Sequence, residues 1–453
     1  MRKLLATCLM VVMLITTLAA CTPNEPTQTS APVQTETPTT TTSTETVIAG
    51  TLNYVSWMTK GEDEPTLKAF MDKYPQVKIE SRALEGTGYA ANFNTLLLGG
   101  DVPDVFLGNP AMIKQLVEDG YIAPVTDLAG MELQAKNTTI NNLLTVDGEV
   151  YGFALNGGVG NEFVYYDAAF FAENDLKVPE KIEDFEALCA IIKTLGKDPI
   201  IVPAGDTWNA TYMGNNYFYH RAAACGDLLK NAPQLALLKG EVKVSDLYGD
   251  AFRAMKKYYD NDWISEGGLS MGWETAAQYF VDGNAAMIIT GNWLPGSAPI
   301  KGAPDFKLGC FVMPGVPDEN GICYAPMKVD RIVFLSAKSE NPEAAKALFE
   351  YMISEDVLKE YILSQGLQGV NLEVGINPVF EDALAILKSD DYFLYPGAFM
   401  QNMPNGWKPN LSQYSADVFS GADVNVLLQK LDEDYAAAMS TVDVNSFLDK
   451  LSK

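Results

Sequence analysis

The region that follows residue 48 alternates strand-like and helix-like stretches, and this order constrains the fold more than any other feature of the sequence. The strand-like stretches are residues 51–57, 77–80 and 105–107. Between them, apolar residues recur at helical spacing, first from Leu67 to Tyr74 and then from Phe93 to Leu97. A β-α-β-α-β order predicts a parallel sheet whose faces are covered by helices.

Three aromatic or polar residues lie at or just beyond the ends of these predicted strands, namely Trp57, Glu85 and Asn109. In open α/β sheets, ligands bind outside the carboxyl ends of the parallel strands. We therefore expect these side chains to lie near a binding site.

A second α/β unit is indicated further along the chain. Residues 163–166 have the pattern of a strand, and residues 285–289 form a continuous apolar run that is typical of a strand buried on both faces. Asp147-Gly148 predicts a hairpin turn, and Asn341 followed by Pro342 predicts the start of a helix. A length of 453 residues allows two or three domains.

The composition excludes several functions. The formal net charge is −26, and the clustered Lys and Arg that nucleic-acid binding requires are missing. His220 is the only histidine, so no site can use two histidine ligands. The sequence contains no G-x-S-x-G elbow and no Walker or Rossmann glycine motif. We expect no nucleic-acid partner, no metal and no cofactor.

The N-terminus has the pattern of an export signal. A basic start precedes an apolar stretch that ends in small residues, which predicts a signal peptide over residues 1–20. The stretch Leu18-Ala19-Ala20-Cys21 resembles the lipobox of bacterial lipoproteins, in which the cysteine is lipidated and becomes the new N-terminus. This resemblance implies that Cys21 anchors the protein to the extracellular side of the cell membrane.

Residues 21–47 are expected to form a stalk that begins with the lipidated cysteine. The segment from 22 to 46 is mostly Thr, Pro, Ser, Gln and Glu and has no aromatic residue. Such a segment cannot bury enough apolar surface to offset its chain entropy, so it is predicted to be disordered. As a flexible coil it would span roughly 25–30 Å.

Four cysteines remain in the folded part of the chain, namely Cys189, Cys225, Cys310 and Cys323. None lies in a C-x-x-C arrangement, so the spacing does not indicate a zinc or redox site. Cys310 and Cys323 are close in sequence and could form a disulfide. Free buried thiols are the other interpretation, because a chain of this length does not need cross-links.

Six short motifs occur in a fixed order along the chain. They are TLKAFMDKYPQV (66–77), LLLGGDVPDVF (96–106), DGEVYGF (147–153), YYD (165–167), FVDGNAAMIITGNW (280–293) and KSENPEAAKALF (338–349). Together they resemble the extracellular solute-binding proteins of ABC importers, and in particular the sugar-binding group that includes maltose-binding protein. One departure is Ala154, which stands where that group usually has proline.

The resemblance implies a two-lobed periplasmic-binding-protein-like α/β fold, in which each lobe is a mostly parallel sheet flanked by helices and the ligand cleft lies between the lobes. By analogy, the first lobe comprises residues 48–158 plus 308–340, and the second comprises residues 159–307 plus 341–453. The implied protein is a monomeric binding component and not an enzyme. It captures a carbohydrate, expected to be an oligosaccharide, and delivers it to the permease transmembrane subunits.

A sugar presents apolar faces and a rim of hydroxyls, so its pocket needs flat aromatic side chains and planar polar groups. For Trp293 the resemblance implies a stacking role, because the family has a tryptophan at this position. The other aromatic candidates are Trp57, Trp208, Trp273 and Trp407, and for each of the five, core packing is the alternative. The polar candidates are Asn109, Glu85, Asn161, Asp206 and Arg331, and for Arg331 a structural salt bridge is equally open.

Three other functions remain open at this point. A surface glycosidase needs two carboxylates across a cleft, and with 58 acidic residues the sequence does not exclude such a pair. The chain could also be a sensory or adhesive lipoprotein that serves no transporter. Finally, the same fold could bind a solute that is not a sugar, such as a peptide or a polyamine.

Overall fold

A computed structural model describes residues 47–58, 61–84, 89–157, 162–228, 232–327, 329, 331–365, 377–396, 403–404, 407 and 409–451. The predicted signal peptide and almost all of the predicted stalk lie outside these residues. The chain divides into Met1–Val47 and Ile48–Lys453, and the description below concerns the second unit alone.

The second unit contains helices and strands throughout. The strands are β1 (Gly50–Ser56), β2 (Val77–Ala83), β3 (Val105–Gly108), β4 (Thr145–Val146), β5 (Glu149–Val150), β6 (Phe153–Ala154), β7 (Phe163–Asp167), β8 (Asp198–Ile201), β9 (Ala285–Thr290), β10 (Leu308–Val312), β11 (Cys323–Met327), β12 (Ile332–Leu335) and β13 (Tyr392–Pro396). The α-helices are α1 (Glu64–Lys73), α2 (Tyr89–Leu98), α3 (Pro110–Glu118), α4 (Met131–Ala135), α5 (Thr138–Leu143), α6 (Ala168–Glu173), α7 (Ile182–Thr194), α8 (Asn215–Ala223), α9 (Ala232–Leu238), α10 (Val244–Asp260), α11 (Trp273–Val281), α12 (Ala298–Gly302), α13 (Pro342–Ile353), α14 (Glu355–Ser364), α15 (Glu381–Leu387), α16 (Leu411–Phe419), α17 (Val424–Met439) and α18 (Val444–Leu451). Short 3-10 helices span Thr207–Gly214, Glu266–Leu269, Leu294–Gly296 and Pro378–Phe380.

The first large sheet has the strand order β2-β1-β3-β12-β6. Strand β1 pairs in parallel with both β2 and β3, as the β-α-β-α-β pattern predicts. Strand β12 pairs antiparallel with β3 and with β6. Four of the five strands therefore run in one direction, and β12 runs in the other.

The second large sheet has the strand order β10-β7-β9-β8. Strand β9 pairs in parallel with β8, whereas β7 is antiparallel to both β9 and β10. All six residues of β9 are buried, which agrees with its continuous apolar sequence. Helices α7 and α10 contribute apolar side chains to the core on one face of this sheet.

The one reversed strand in each sheet has a topological cause. Strand β7 is the first strand after the chain leaves the first sheet, and β12 is the first after it returns. A strand that follows a helical crossover within one sheet returns parallel, whereas a strand that enters from the other sheet is not bound by this rule. The fold class predicted from the sequence is confirmed: the molecule is an α/β protein with two lobes, and each of the two large sheets is parallel except for this one strand.

Separate hydrophobic cores support the two sheets. A single cluster of buried side chains surrounds the first sheet, including Tyr54, Phe106 and Phe334. Side chains of the second sheet alternate between two clusters on opposite faces, so that Val164 faces one and Phe163 the other. Because successive side chains of a strand point to opposite faces of the sheet, these two clusters bury both faces of the strands.

The chain crosses between the lobes at different points from those predicted. Residues 308–312, which were assigned to the first lobe, form β10 and pair with β7 in the second sheet. Helices α13 and α14, which were assigned to the second lobe, bury their apolar side chains in the core of the first sheet. The chain therefore returns to the first sheet only after β11, and it remains there for two helices.

Within the described ranges, no helix combines the length and the apolar character that a bilayer crossing requires.

Candidate functional site

Four aromatic side chains, named here the aromatic cluster, meet beyond the carboxyl ends of β8 and β9. They are Trp208, Tyr212, Trp273 and Trp293. The ring centroid of Trp293 lies 5.5 Å from that of Trp208, 6.5 Å from that of Tyr212 and 6.4 Å from that of Trp273. Because this is the edge at which open α/β sheets bind ligands, the cluster is the main candidate for a binding surface.

Each ring reaches the cluster from a different element. Trp208 and Tyr212 lie on the 3-10 helix that follows β8, with their ring centroids 6.0 Å apart. Trp273 is the first residue of α11, and Trp293 follows β9 after two residues. The structure thus brings together three tryptophans that are spread over 86 positions of the sequence.

Trp293 has a special place in the cluster because it touches both lobes. It is half-buried and packs against the core of the first sheet as well as against the core of the second. Its ring also lies over Gly291, where a Cβ atom would overlap the Cζ3 and Cη2 atoms of the indole. The position predicted for ligand stacking is therefore at the interface between the lobes.

Asp206 supports the cluster by positioning Trp273. Its Oδ2 atom accepts a hydrogen bond from the backbone N–H of Trp273 at 2.6 Å. An acidic side chain at a helix N-terminus accepts a hydrogen bond from a backbone N–H that has no partner within the helix, and its negative charge interacts favourably with the positive end of the helix dipole. Asp206 therefore fixes the start of α11, and with it one of the rings.

A buried polar pair beneath the cluster ties the 3-10 helix to β9. Asn209 donates from Nδ2 to the carbonyl of Ile289 at 3.1 Å, and its Oδ1 accepts from the Thr290 hydroxyl at 3.3 Å. Asn209 and Thr290 are fully buried. Neither Asn209 nor Tyr212 is among the predicted site residues, although both lie within four residues of Trp208.

Asn292 is a further residue that the sequence analysis did not select, although it directly precedes Trp293. Its side chain is 3% exposed. Among the described residues, none hydrogen-bonds to its Oδ1 atom. A buried acceptor without a partner is unfavourable, so Asn292 is an additional polar candidate at this edge.

Two of the predicted residues lie at the carboxyl edge of the first sheet. Trp57 directly follows β1, is half-buried, and contacts Tyr89 edge to face at a centroid distance of 5.0 Å. Asn109 directly follows β3 and caps α3, because its Oδ1 accepts from the N–H of Ala111 at 3.1 Å. Both remain candidates for ligand contact from the first lobe.

Arg331 lies where the chain re-enters the first lobe, and its guanidinium makes an internal contact. Its Nη1 atom donates to the Tyr361 hydroxyl at 3.1 Å, and Tyr361 donates to Oδ1 of Asp63 at 3.2 Å. Burial raises the pKa of the Asp63 carboxyl, while hydrogen bonds from Tyr54 and Ser56 and the charge of Arg331 act in the opposite direction. These contacts favour the structural interpretation of Arg331 that the sequence left open.

Trp407 packs edge to face against Tyr435 of α17, with ring centroids 5.0 Å apart, on the core of the second lobe. This contact matches the core-packing alternative for this residue. Glu85, Asn161 and the predicted lipidation site Cys21 lie outside the described residues.

A small, partly open cavity lies next to the aromatic cluster and shares Tyr212 with it. Its volume is about 30 Å³, and Glu162, Asn216 and Tyr219 contribute polar groups to its wall. This is room for a water molecule and not for a sugar ring. In the part of the chain that the structure describes, no three His, Cys, Asp or Glu side chains converge as metal ligands would.

Comparisons with known proteins agree with this architecture. The SBP RafE, solved in complex with raffinose, superposes with a TM-score of 0.71 at 21% identity, covering 86% of this chain and 100% of that chain. A "Multiple sugar-binding protein" of Streptococcus mutans is 25% identical over 325 residues, 67% of this chain and 71% of that protein. An uncharacterised ABC transporter extracellular-binding protein of Pyrococcus horikoshii is 22% identical over 446 residues, 94% of each chain.

A family model described as "Bacterial extracellular solute-binding protein" matches residues 56–359. The match begins at the last residue of β1 and ends within α14, so it includes all the other strands of the two large sheets and the aromatic cluster. Because it spans more than half of the 453 residues, the chain belongs to the family of bacterial extracellular solute-binding proteins.

Proposed function

We propose that this chain is the carbohydrate-binding component of an ABC importer. It would capture an oligosaccharide by closure of its two lobes and deliver it to the transmembrane permease. The observation that carries the proposal is the aromatic cluster, in which Trp293 contacts both lobes. Rings at this edge suit the apolar faces of sugars, and a ligand that touches both lobes favours their closed arrangement.

The named relatives support the choice of ligand class and of partner. One is named as a multiple sugar-binding protein, one as an ABC transporter extracellular-binding protein, and a structural neighbour was solved with raffinose. The candidate polar groups are the amides Asn109 and Asn292 together with the carboxylate Asp206, an arrangement that accepts hydroxyl donors.

Calorimetric titration with raffinose, maltose and monosaccharides tests the ligand class. The Trp293→Ala substitution should weaken oligosaccharide binding at least tenfold, or about 1.4 kcal/mol. Phe393→Ala, which changes a ring that is 39% exposed on β13, is the matched control and should bind normally. Unchanged affinity in folded Trp293→Ala, or binding of peptides or polyamines in place of sugars, would reject the proposal.

The protein is further proposed to bind its ligand without converting it. Prolonged incubation with oligosaccharides should release no shorter products. Product formation by the purified protein would indicate a surface carbohydrate-active enzyme instead of a transport protein.

The proposed anchor is the lipidated Cys21 followed by the stalk over residues 22–46. A tether of this kind keeps a captured solute near the permease. The Cys21→Ser substitution should move the protein from the membrane fraction to the medium, whereas retention at the membrane would exclude the lipid anchor.

A further inference from the structure

Two of the crossings between the lobes are hydrogen-bonded to each other. The first crossing leads from β6 to β7 and begins with Leu155 and Asn156, and the second leads from β11 to β12 and ends with Arg331. The Leu155 N–H donates to the Arg331 carbonyl at 2.8 Å, and the Arg331 N–H donates to Oδ1 of Asn156 at 2.9 Å. At this point the two crossings form one structural unit.

The side chain of Arg331 connects this unit to the interior of the first lobe. Its guanidinium donates to Tyr361 of α14, and Tyr361 donates to Asp63, the residue before α1. The other oxygen of Asp63 accepts from the Tyr54 hydroxyl of β1 at 2.8 Å. We name Arg331, Tyr361, Asp63 and Tyr54 the hinge network.

Three of the four side chains of the hinge network are buried in the first lobe. Tyr54, Asp63 and Tyr361 are 1%, 3% and 4% exposed. A buried carboxylate persists only when hydrogen bonds and an opposite charge compensate for its lost hydration. Tyr54 and Tyr361 supply hydrogen bonds, and Arg331 supplies the charge. Asp63 therefore holds the Tyr361 hydroxyl that accepts the hydrogen bond from Arg331.

We propose that Arg331 is a positioning residue for lobe closure, which fixes the start of the first crossing and the end of the second to the first lobe. Hinge motion requires a few residues that change conformation and neighbours that do not. Without the guanidinium, both crossings would sample orientations from which closure on the ligand is less frequent. The fraction of binding-competent molecules would fall, and the apparent affinity would fall with it.

The experiment uses the mature chain with Cys21→Ser, in three hinge variants and one stability control. Arg331→Ala removes the guanidinium, Tyr361→Phe removes only the connecting hydroxyl, and Arg331→Lys keeps the charge. Leu97→Ala, which removes a side chain buried in the first-lobe core at 5% exposure, is the control for lost stability.

Arg331→Ala and Tyr361→Phe should each weaken raffinose binding about fivefold to tenfold, and Arg331→Lys should restore part of the loss. In ligand-free protein, hydrogen exchange at the backbone amides of residues 155 and 331 should accelerate. The X-ray scattering curve should require a broader range of lobe orientations than that of the unmodified chain. Leu97→Ala should lower stability without these changes.

Two results would overturn the inference. If the hinge variants lose stability but keep normal affinity and normal exchange at Leu155, the hinge network is only a structural contact. The second result is that Arg331→Ala weakens binding while Tyr361→Phe binds normally and exchange and scattering of the ligand-free protein are unchanged. Arg331 would then contact the ligand directly. The inference rests on the proposed function for its ligand, but exchange and scattering need no ligand. If the unmodified chain binds no sugar, the proposed function fails and these two readouts still decide the role of Arg331.

Discussion

Because Gly291 has no side chain, the Trp293 indole can pack directly against its backbone. A Cβ atom at position 291 would overlap three atoms of that ring, so the Gly291→Ala substitution must displace the indole from its place in the aromatic cluster. Overpacking of this kind costs about 1–3 kcal/mol, and we expect sugar affinity in calorimetry to fall about tenfold. Gly302→Ala is the control, because a Cβ atom there has no neighbour within 4 Å among the described residues. Equal affinities for the two variants would contradict the proposed ring placement.

The four cysteines of the folded unit are all free thiols, which decides between the two interpretations that the sequence left open. Burial raises the pKa of all four thiols. Cys189 and Cys310 are inaccessible to a reagent because they are buried, whereas Cys225 and Cys323 are only partly buried. Because the thiolate is the reactive form, native protein at pH 8 should react with a thiol reagent at Cys225 and Cys323 only. After unfolding in denaturant without reductant, mass spectrometry should find all four labelled. A missing pair would indicate a disulfide.

The tryptophans show how far the sequence predicts the site. Trp208, Trp273 and Trp293 could be selected individually because each stands in a loop or next to the end of an element. Their common location depends on the β8-β9 pairing, which single-sequence patterns do not contain. Tyr212 was missed because a 3-10 helix has no recognisable apolar period, and Asn292 because its burial follows only from packing.

At the scale of the elements, the start of a helix can be predicted correctly while the hydrogen-bond partner of its first side chain is not. Asn341 precedes α13 as predicted, but its side chain makes no capping bond and donates to the carbonyl of Thr51 at 3.0 Å instead. It therefore fastens α13 to β1. The sequence predicts that a polar residue begins the helix, whereas its partner depends on the neighbouring strand.

Asp423 is a true cap, since its Oδ1 accepts from the N–H groups of Asn425 and Val426 at the start of α17. We expect Asp423→Ala to lower the free energy of unfolding by about 1 kcal/mol. Asn410→Ala is the matched control, because Asn410 is the N-cap residue of α16 but makes no side-chain capping bond. Urea denaturation should separate the two variants, and similar midpoints for both would refute the capping role.

The lobe to which an element belongs could not be predicted from the apolar pattern of its sequence. The start of α13 was predicted from the sequence, but the lobe to which α13, α14 and β10 belong was assigned incorrectly. Membership in a lobe depends on which sheet an element packs against, and β10 and β7 pair across about 140 positions of sequence. Apolar periodicity reports that a face is buried, and it does not report the partner that buries it.

At the scale of the whole molecule, the strong negative charge of the chain and the aromatic binding surface lead to different predictions about the effect of salt. Loss of the predicted signal peptide, which contains Arg2 and Lys3 but no acidic residue, changes the net charge from −26 to −28. Like charges at this density repel one another and destabilise the compact state. Salt screens the repulsion, because the Debye length falls from about 30 Å at 0.01 M to about 8 Å at 0.15 M. The melting temperature should therefore rise with sodium chloride over this range.

Affinity should behave differently, because stacking on rings and hydrogen bonds to neutral hydroxyls release no counterions. We expect the dissociation constant for raffinose to change less than about twofold over the range in which the melting temperature rises, since screening acts mainly between charges. A polyamine, in contrast, would gain its affinity from the acidic surface and should lose it steeply as salt is added. Calorimetry in 0.01 M and 0.15 M sodium chloride, with spermidine titrated in parallel, separates the two ligand classes. Sugar binding that weakens tenfold with salt, or spermidine binding that is stronger than raffinose binding at both concentrations, would contradict the carbohydrate assignment and favour a cationic solute.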